Sequence, residues 1–368
     1  MEERKIWLDN IRWMVIVLVV IYHAFYYYNN IDVTPMFAGL EANPAVEGTK
    51  ATVTGVALLQ YFVYPWFMLI LFIISGIVAN IVLQKKEMKA FLSERVHKLL
   101  VPSTLGILTI QWLGGYLISQ NFLTNGEEIP AFVRYLIYCG SGTGALWFCQ
   151  VLFLNCLLLA FIKKIDKKNR LLFLGSKSNL LVLILLTPVM VGAAQIFNAP
   201  ITTYRMCFYP VAFLLGYYVF AQENVQATLK KYGPLLLIVG VVADILYIVK
   251  DYGRYYASNE IQNDPIAVVA GWFMVMGLLG AGQRVLNFSN TFTTYMNKAG
   301  WGIYIVHINV LLFTNTLLKP VVTTLPMAGI YFMEIVAGLL VSILLWEVLR
   351  RIPLLRWLLF GIRRKKNV

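Results

Sequence analysis

Two histidines and an arginine are the residues of this chain best suited to chemistry. Arg12 opens a long apolar run, and His23 lies deep inside it, in Ile21-Tyr22-His23-Ala24. Eleven positions at about 100° each bring both side chains to one helical face, with about 16 Å of helix rise between them. Asp9, Ile16 and Tyr27 share that face. A neutral imidazole can take a proton from a hydroxyl or attack a carbonyl itself. An ionisable residue within a bilayer is costly, usually faces the protein interior and carries a function. The plainer reading is a histidine tolerated through a hydrogen bond to a neighbouring helix. Tyr304 and His307, three apart in Trp301-Gly302-Ile303-Tyr304-Ile305-Val306-His307, share a face of another apolar run. A second histidine near the middle of a span makes accident a weaker account of the first.

Such residues need helices to hold them, and the composition supplies membrane helices. The 368 residues are 59% hydrophobic and only 13% charged, against about 25% charged in soluble domains. Apolar runs of about 18 residues or more recur along the whole length, as in a polytopic helical membrane protein. The apolar residues surround each segment instead of alternating with polar ones, which excludes a transmembrane β-barrel. The four cysteines, Cys139, Cys149, Cys156 and Cys207, have no metal-type spacing, and three of them lie in apolar runs and read as buried thiols; no metal is expected. No cleavage site follows the first apolar run, so it is expected to stay as an anchor.

The expected fold is all-α: a polytopic membrane helical bundle of about ten transmembrane helices, roughly 11–28, 56–82, 99–119, 144–162, 179–197, 204–222, 233–250, 265–283, 300–318 and 327–349. With both termini cytoplasmic, 25 of the 31 Lys and Arg residues fall inside. Lys50, Arg134, Arg205, Lys250, Arg254 and Lys319 remain outside. That bias makes nucleic acid an unneeded partner for the net charge of +13. Two long outer connections, 29–55 and 120–142, are placed to cap an outer cavity. Residues 1–351 are expected to form a single transmembrane domain. Residues 352–368 read as a cytoplasmic interfacial helix and basic tail in contact with membrane lipids.

Several further groups stand out. Ser75-Gly76 reads as a small-residue helix contact. The inner loop Ser93 to Pro102 carries Arg95, His97 and Lys98. It suits either positive-inside topology with anionic lipid or a phosphate site for a nucleotide-bearing donor. Trp147 reads as an aromatic-belt residue. Arg205 and Asp244 read as an intramembrane ion pair, structural or substrate-binding, and Glu334 as a further buried acid.

In order along the chain, Leu8-Asp9 with Arg12-x10-His23, Phe72-Ile73-Ile74-Ser75-Gly76, Arg95-x-x-Lys98 before Leu99 and Pro102, Leu146-Trp147-Phe148, Phe213 to Gly216 and Tyr304-x-x-His307 resemble the membrane acyltransferase-3 family. The family has Arg where this chain has Lys98, a departure that replaces a bidentate fork by a point charge. The resemblance implies a bacterial cytoplasmic-membrane enzyme. It would move an acyl group, usually acetyl, from cytoplasmic acyl-CoA (acetyl-CoA) to a hydroxyl of an extracytoplasmic acceptor such as a cell-surface glycan or lipid-linked sugar. His23 and His307 would be catalytic. Arg12, Arg95 and Lys98 would hold the donor, and Arg205, Asp244 and Tyr304 the acceptor. The rival reading is a proton-coupled transporter or exporter with the buried His, Asp and Glu as a relay, but no repeat-related pair of broken spans supports it. A structural or lipid-binding membrane protein leaves the two histidines unexplained.

Overall fold

The computed structural model describes residues 5–28, 46, 48–120, 123, 129–198 and 201–362, and among these it is helical without a strand. The chain opens with α1 (Ile6–Ala24), α2 (Thr49–Val63) and α3 (Phe67–Leu83). Four shorter helices follow, α4 (Met88–Arg95), α5 (Val101–Gly106), α6 (Trp112–Ser119) and α7 (Ala131–Ser141), and then α8 (Trp147–Ile165). Next come α9 (Arg170–Ser176), α10 (Leu180–Leu185), α11 (Thr187–Gln195), α12 (Phe208–Leu215), α13 (Glu223–Asp251) and α14 (Asn259–Gln262). The chain closes with α15 (Pro265–Val285), α16 (Thr291–Leu318), α17 (Met327–Leu349) and α18 (Pro353–Phe360).

Eight helical stretches among the described residues are long and apolar enough to cross a membrane, or nine if the pair 170–176 and 180–195, bent by 115°, counts as one span. The chain is thus the all-α membrane protein expected. The segment expected as a span at 204–222 is instead a 3-10 turn, the eight-residue α12 and a π turn at Gly216–Phe220. It falls short of the roughly 20 residues a straight crossing needs. The span expected at 56–82 is interrupted at Tyr64-Pro65-Trp66, where Pro65 has no backbone N–H to continue the ladder. The supposed loop 93–102 is not a loop: Met88–Ser119 runs as one helical stretch with π turns at Val96–Leu100 and Ile107–Gln111. The connection expected at 120–142 contains α7, begun by Pro130, which is too short to register as a span. Of the other expected loop, residues 29–45 and 47 lie outside the described residues, and from Thr49 the chain is already α2. The tail cations Arg363, Arg364, Lys365 and Lys366, and Arg4 at the other end, also lie outside them.

The chain divides into two compact units. The first comprises Met1–Val15, Tyr61–Arg95 and Val151–Asn297. Its packing depends on missing side chains. A Cβ on Gly76 would strike the carbonyl of Phe213, and one on Gly216 that of Ile73, so α3 meets the α12 end backbone to backbone. Asn80 fastens the same contact by donating to the Tyr217 carbonyl at 3.0 Å. The antiparallel pair α13 and α15 is equally close, with Gly233 against Gly280. Asn10, fully buried, donates to the carbonyls of Leu286 and Phe288 at 2.7 and 2.8 Å, filling acceptors that the end of α15 leaves open.

The second unit comprises Ile16–Gln60, Val96–Gln150 and Lys298–Val368. Here α18 is more than a surface helix: Leu359 and Phe360 are buried while Leu354 is exposed. Trp301 donates to the Phe360 carbonyl at 3.3 Å, and Trp346 packs edge-on to the Phe360 ring. A further cluster of buried side chains, Phe25, Tyr27, Tyr28, Leu311, Ile330 and Tyr331 among them, joins the end of α1 to α16 and α17.

Candidate active site

His23 stands in the last turn of α1 and His307 midway along α16. The Nε2 of His307 lies 3.3 Å from the Nδ1 of His23, with ring centroids 5.1 Å apart. The backbone assigns the protons. His23 Nδ1 is 2.8 Å from the Val19 carbonyl, one turn back. A carbonyl only accepts, so this nitrogen carries the hydrogen. By the same argument His307 Nδ1, 2.7 Å from the Tyr304 carbonyl, is protonated. His307 Nε2 is then the acceptor toward the His23 N–H. The remaining nitrogen, His23 Nε2, keeps its lone pair and accepts no hydrogen bond among the described residues. His307 is fully buried, whereas His23 retains partial exposure. The pair therefore presents one basic, accessible nitrogen held in a fixed tautomer.

The surroundings hold α16 in register beside α1. Tyr304, itself buried, donates its hydroxyl to the Ala145 carbonyl at 2.6 Å. Its ring stacks on Trp301 and meets Phe148 edge-on, 5.8 Å away. Thus the Leu146-Trp147-Phe148 motif braces the histidine helix, through Phe148 and the turn at Ala145. Gln111 and Asn309 had no part in the sequence reading, yet they bracket His307. Gln111 donates to the Ile305 carbonyl at 2.9 Å, and Asn309 donates to Gln111 Oε1 at 2.7 Å. The signal was available: Gln111 is a lone amide in an apolar stretch, and a buried amide has to be satisfied somewhere.

Beyond the end of α1, Asn315 donates to the Tyr28 hydroxyl at 2.9 Å and to Glu334 Oε1 at 3.1 Å. Glu334 is fully buried, and its Oε2 has no hydrogen-bond partner among the described residues. Tyr331 donates to the Tyr27 carbonyl at 3.3 Å. Tyr28 sits at φ +65°, unusual for a bulky side chain. This network pins the turn that ends the His23 helix.

The expected donor-site cations differ in their commitments. Arg12 pairs with Asp9 at 3.0 Å. Arg95, at the end of α4, lies over the Phe91 ring at 4.8 Å and makes no ion pair among the described residues. Its Nε is buried without a hydrogen-bond partner. Lys98 is exposed in the π turn that follows. The expected ion pair of Arg205 with Asp244 is not formed. Arg205 donates to the Gln262 carbonyl and Asn263 Oδ1 at 3.1 and 3.0 Å and lies 3.6 Å above the Phe208 ring. Asp244 is fully buried, and neither carboxylate oxygen has a hydrogen-bond partner among the described residues. The end of α14 and the residue after it take two bonds from the guanidinium, leaving the acid without it.

Comparison with known proteins agrees with the helices and the motifs. The family model described as an acyltransferase domain, acyltransferase-3, matches residues 5–347. The chain belongs to the acyltransferase-3 family. It is similar to proteins named glucans biosynthesis protein C, from Shigella boydii serotype 4 (strain Sb227) and from Escherichia coli O9:H4 (strain HS) and K12 / DH10B. Each is 26% identical over 322 residues, covering 82% of this chain and 83% of the relative. No solved structure matches. The acyltransferase-3 match includes both histidines, Tyr304, Arg12, Arg95, Lys98 and Arg205, and stops short of α18. As a membrane acyltransferase, the chain requires an acyl donor and a hydroxyl acceptor.

Proposed function

We propose that this acyltransferase-3 protein transfers an acyl group, acetyl in the first instance, from cytoplasmic acyl-CoA to a hydroxyl of an extracytoplasmic glycan. The name of its relatives makes a glucan the first acceptor to try. We place it in a bacterial cytoplasmic membrane with both termini inside, as the distribution of Lys and Arg favours.

The observation that carries this reading is the hydrogen-bonded pair His23–His307, with the Nε2 of His23 accepting no hydrogen bond among the described residues. In the transfer, this nitrogen accepts the acceptor hydroxyl's proton as the oxygen attacks the thioester carbonyl. The C–O bond forms, the C–S bond breaks, and the departing thiolate takes the proton back as the thiol. The Val19 carbonyl and His307 Nε2, both facing the His23 Nδ1–H, stabilise the positive charge that the ring gains in between. In the second route open to the same atom, Nε2 attacks the thioester first and passes the acyl group on. Arg95 has no carboxylate partner among the described residues and is the foremost candidate for the donor phosphates, with Lys98 beside it in sequence. Arg12 would join them by exchanging Asp9 for phosphate. Tyr304 positions His307, and Arg205 and Asp244 are left as acceptor-side candidates.

The test is transfer of labelled acetyl from acetyl-CoA to a linear glucan by the purified protein in proteoliposomes. Labelled glucan with stoichiometric release of free CoA supports the proposal. CoA release at the rate of empty liposomes, with unlabelled glucan, removes it.

A further inference from the structure

A groove of about 600 Å³ opens in the first unit, where the end of α3, the end of α8, α9 and the start of α13 come together. Neither the acyl-transfer chemistry nor the donor cations use it. Its volume lies within the range of small-ligand sites, roughly 300–1,000 Å³. Lys163 and Glu223 supply one charge of each sign to its lining. Lys163 donates to the Tyr217 hydroxyl at 3.1 Å and pairs with no carboxylate among the described residues; Glu223 makes no ion pair there either.

Three of the amides in the lining share one orientation. Gln84 donates its NH2 to Asn80 Oδ1, Gln222 to the Tyr218 carbonyl, and Asn224 to the carbonyls of Ser176 and Ser178. One N–H of Gln84, one of Gln222 and both of Asn224 are thus spent on the protein. The oxygens Gln84 Oε1, Gln222 Oε1 and Asn224 Oδ1 accept nothing among the described residues. The groove therefore offers a cation for an anion, and a carboxylate with three amide oxygens for a hydrogen-bond donor carrying positive charge. Its complement is a phosphate ester bearing an amine.

The source follows from the rim. Leu83 and Leu172 add an apolar wall. Beside them, α9 exposes Leu171, Phe173 and Leu174, the last two by 63% and 64%. In a membrane protein, exposed apolar side chains of this kind face lipid. Chain neighbours of the lining residues add Lys85, Lys164, Lys168 and Arg170, the mark of a segment at an anionic membrane surface.

We propose that this groove holds the phosphoethanolamine headgroup of a phospholipid. The phosphate lies on Lys163, and the ammonium faces Glu223 and the amide oxygens. The glycerol runs out along Leu83 and Leu172.

Native mass spectrometry of the whole protein in detergent tests this, with phosphatidylethanolamine, phosphatidylglycerol and diacylglycerol of equal chain length supplied in turn. Phosphatidylethanolamine should be retained most and diacylglycerol least. Lys163→Met should lower retention of both phospholipids by about fivefold, the value of one lysine near a lipid phosphate. Glu223→Gln, a change at an exposed position, should remove the preference for phosphatidylethanolamine over phosphatidylglycerol. Equal retention of phosphatidylethanolamine and diacylglycerol by the wild type needs no variant and would overturn the proposal. So would displacement of bound lipid by free coenzyme A, which would make the groove a nucleotide site.

Discussion

His307 hands its Nε2 lone pair to the Nδ1–H of His23, a residue 284 positions earlier in the chain. Each ring has a backbone carbonyl on its protonated nitrogen, Val19 for one and Tyr304 for the other. The arrangement is directional: a protonated Nδ1 on each ring, one acceptor used within the pair, and one basic nitrogen left over.

That direction ranks the two histidines. His307→Ala leaves His23 with its Val19 bond and its free Nε2, so activity should fall but survive. The loss should be smaller than the ~10²–10⁴-fold expected from removing a general base. Donor affinity, measured by calorimetry with acetyl-CoA, should not change. A His307→Ala enzyme as inactive as His23→Ala would instead place the chemistry on both rings.

Arg95 has no carboxylate partner among the described residues, and a charge-assisted hydrogen bond to phosphate is worth about 1.5–3 kcal/mol. Arg95→Ala should weaken acetyl-CoA binding about tenfold or more. It should leave a short thioester that lacks the nucleotide nearly unaffected. Arg12→Ala should follow the same pattern. Equal losses on both donors would remove the phosphate assignment.

Asn315 is the hydrogen-bond donor that Glu334 has among the described residues. Asn315→Leu should strand a buried carboxyl and lower stability by about 1–3 kcal/mol. Pairing it with Glu334→Leu should recover part of that loss. Thermal melting in detergent reads both. An unchanged melting temperature for the single variant would show that the network contributes nothing.

The α13–α15 contact gives a packing test. Gly233→Leu forces a side chain into the Gly280 backbone and should cost about 1–3 kcal/mol or prevent assembly. Gly192→Leu, at a glycine with open space around it, should melt like the wild type.

Much of this was legible in the sequence because burial in lipid writes itself as long apolar runs. The His23 and His307 positions stood out because ionisable residues are rare in such runs. What sequence could not give was which helices meet. The periodicity put Tyr304 and His307 on one face, but only the fold brings that face to His23. The Arg205–Asp244 pairing failed for the same reason: opposite charges at similar depth do not imply adjacency, and the end of α14 engages the arginine instead. Gln111 was passed over because a lone amide carries no charge to notice. Residues 204–222 matched a span in composition but are divided into a 3-10 turn, a short helix and a π turn, which hydropathy does not register.

Sidedness rests on the lysines and arginines. In a background without reactive cysteines, Arg170→Cys should label from the cytoplasmic face and Arg134→Cys from the opposite one. Reaction of residue 170 from outside inverts the topology, and with it the side from which the donor arrives.

Whether His23 does the chemistry is read from the acetyl-transfer rate of purified His23→Ala. The rate should fall about 10²–10⁴-fold, with melting temperature and acetyl-CoA affinity close to those of the wild type. In the same preparation, wild type given donor alone should reveal which of its two routes His23 takes: a stable acyl-protein marks the covalent one, and unmodified protein the direct base. A folded His23→Ala protein that transfers acetyl at the wild-type rate would take the chemistry away from His23.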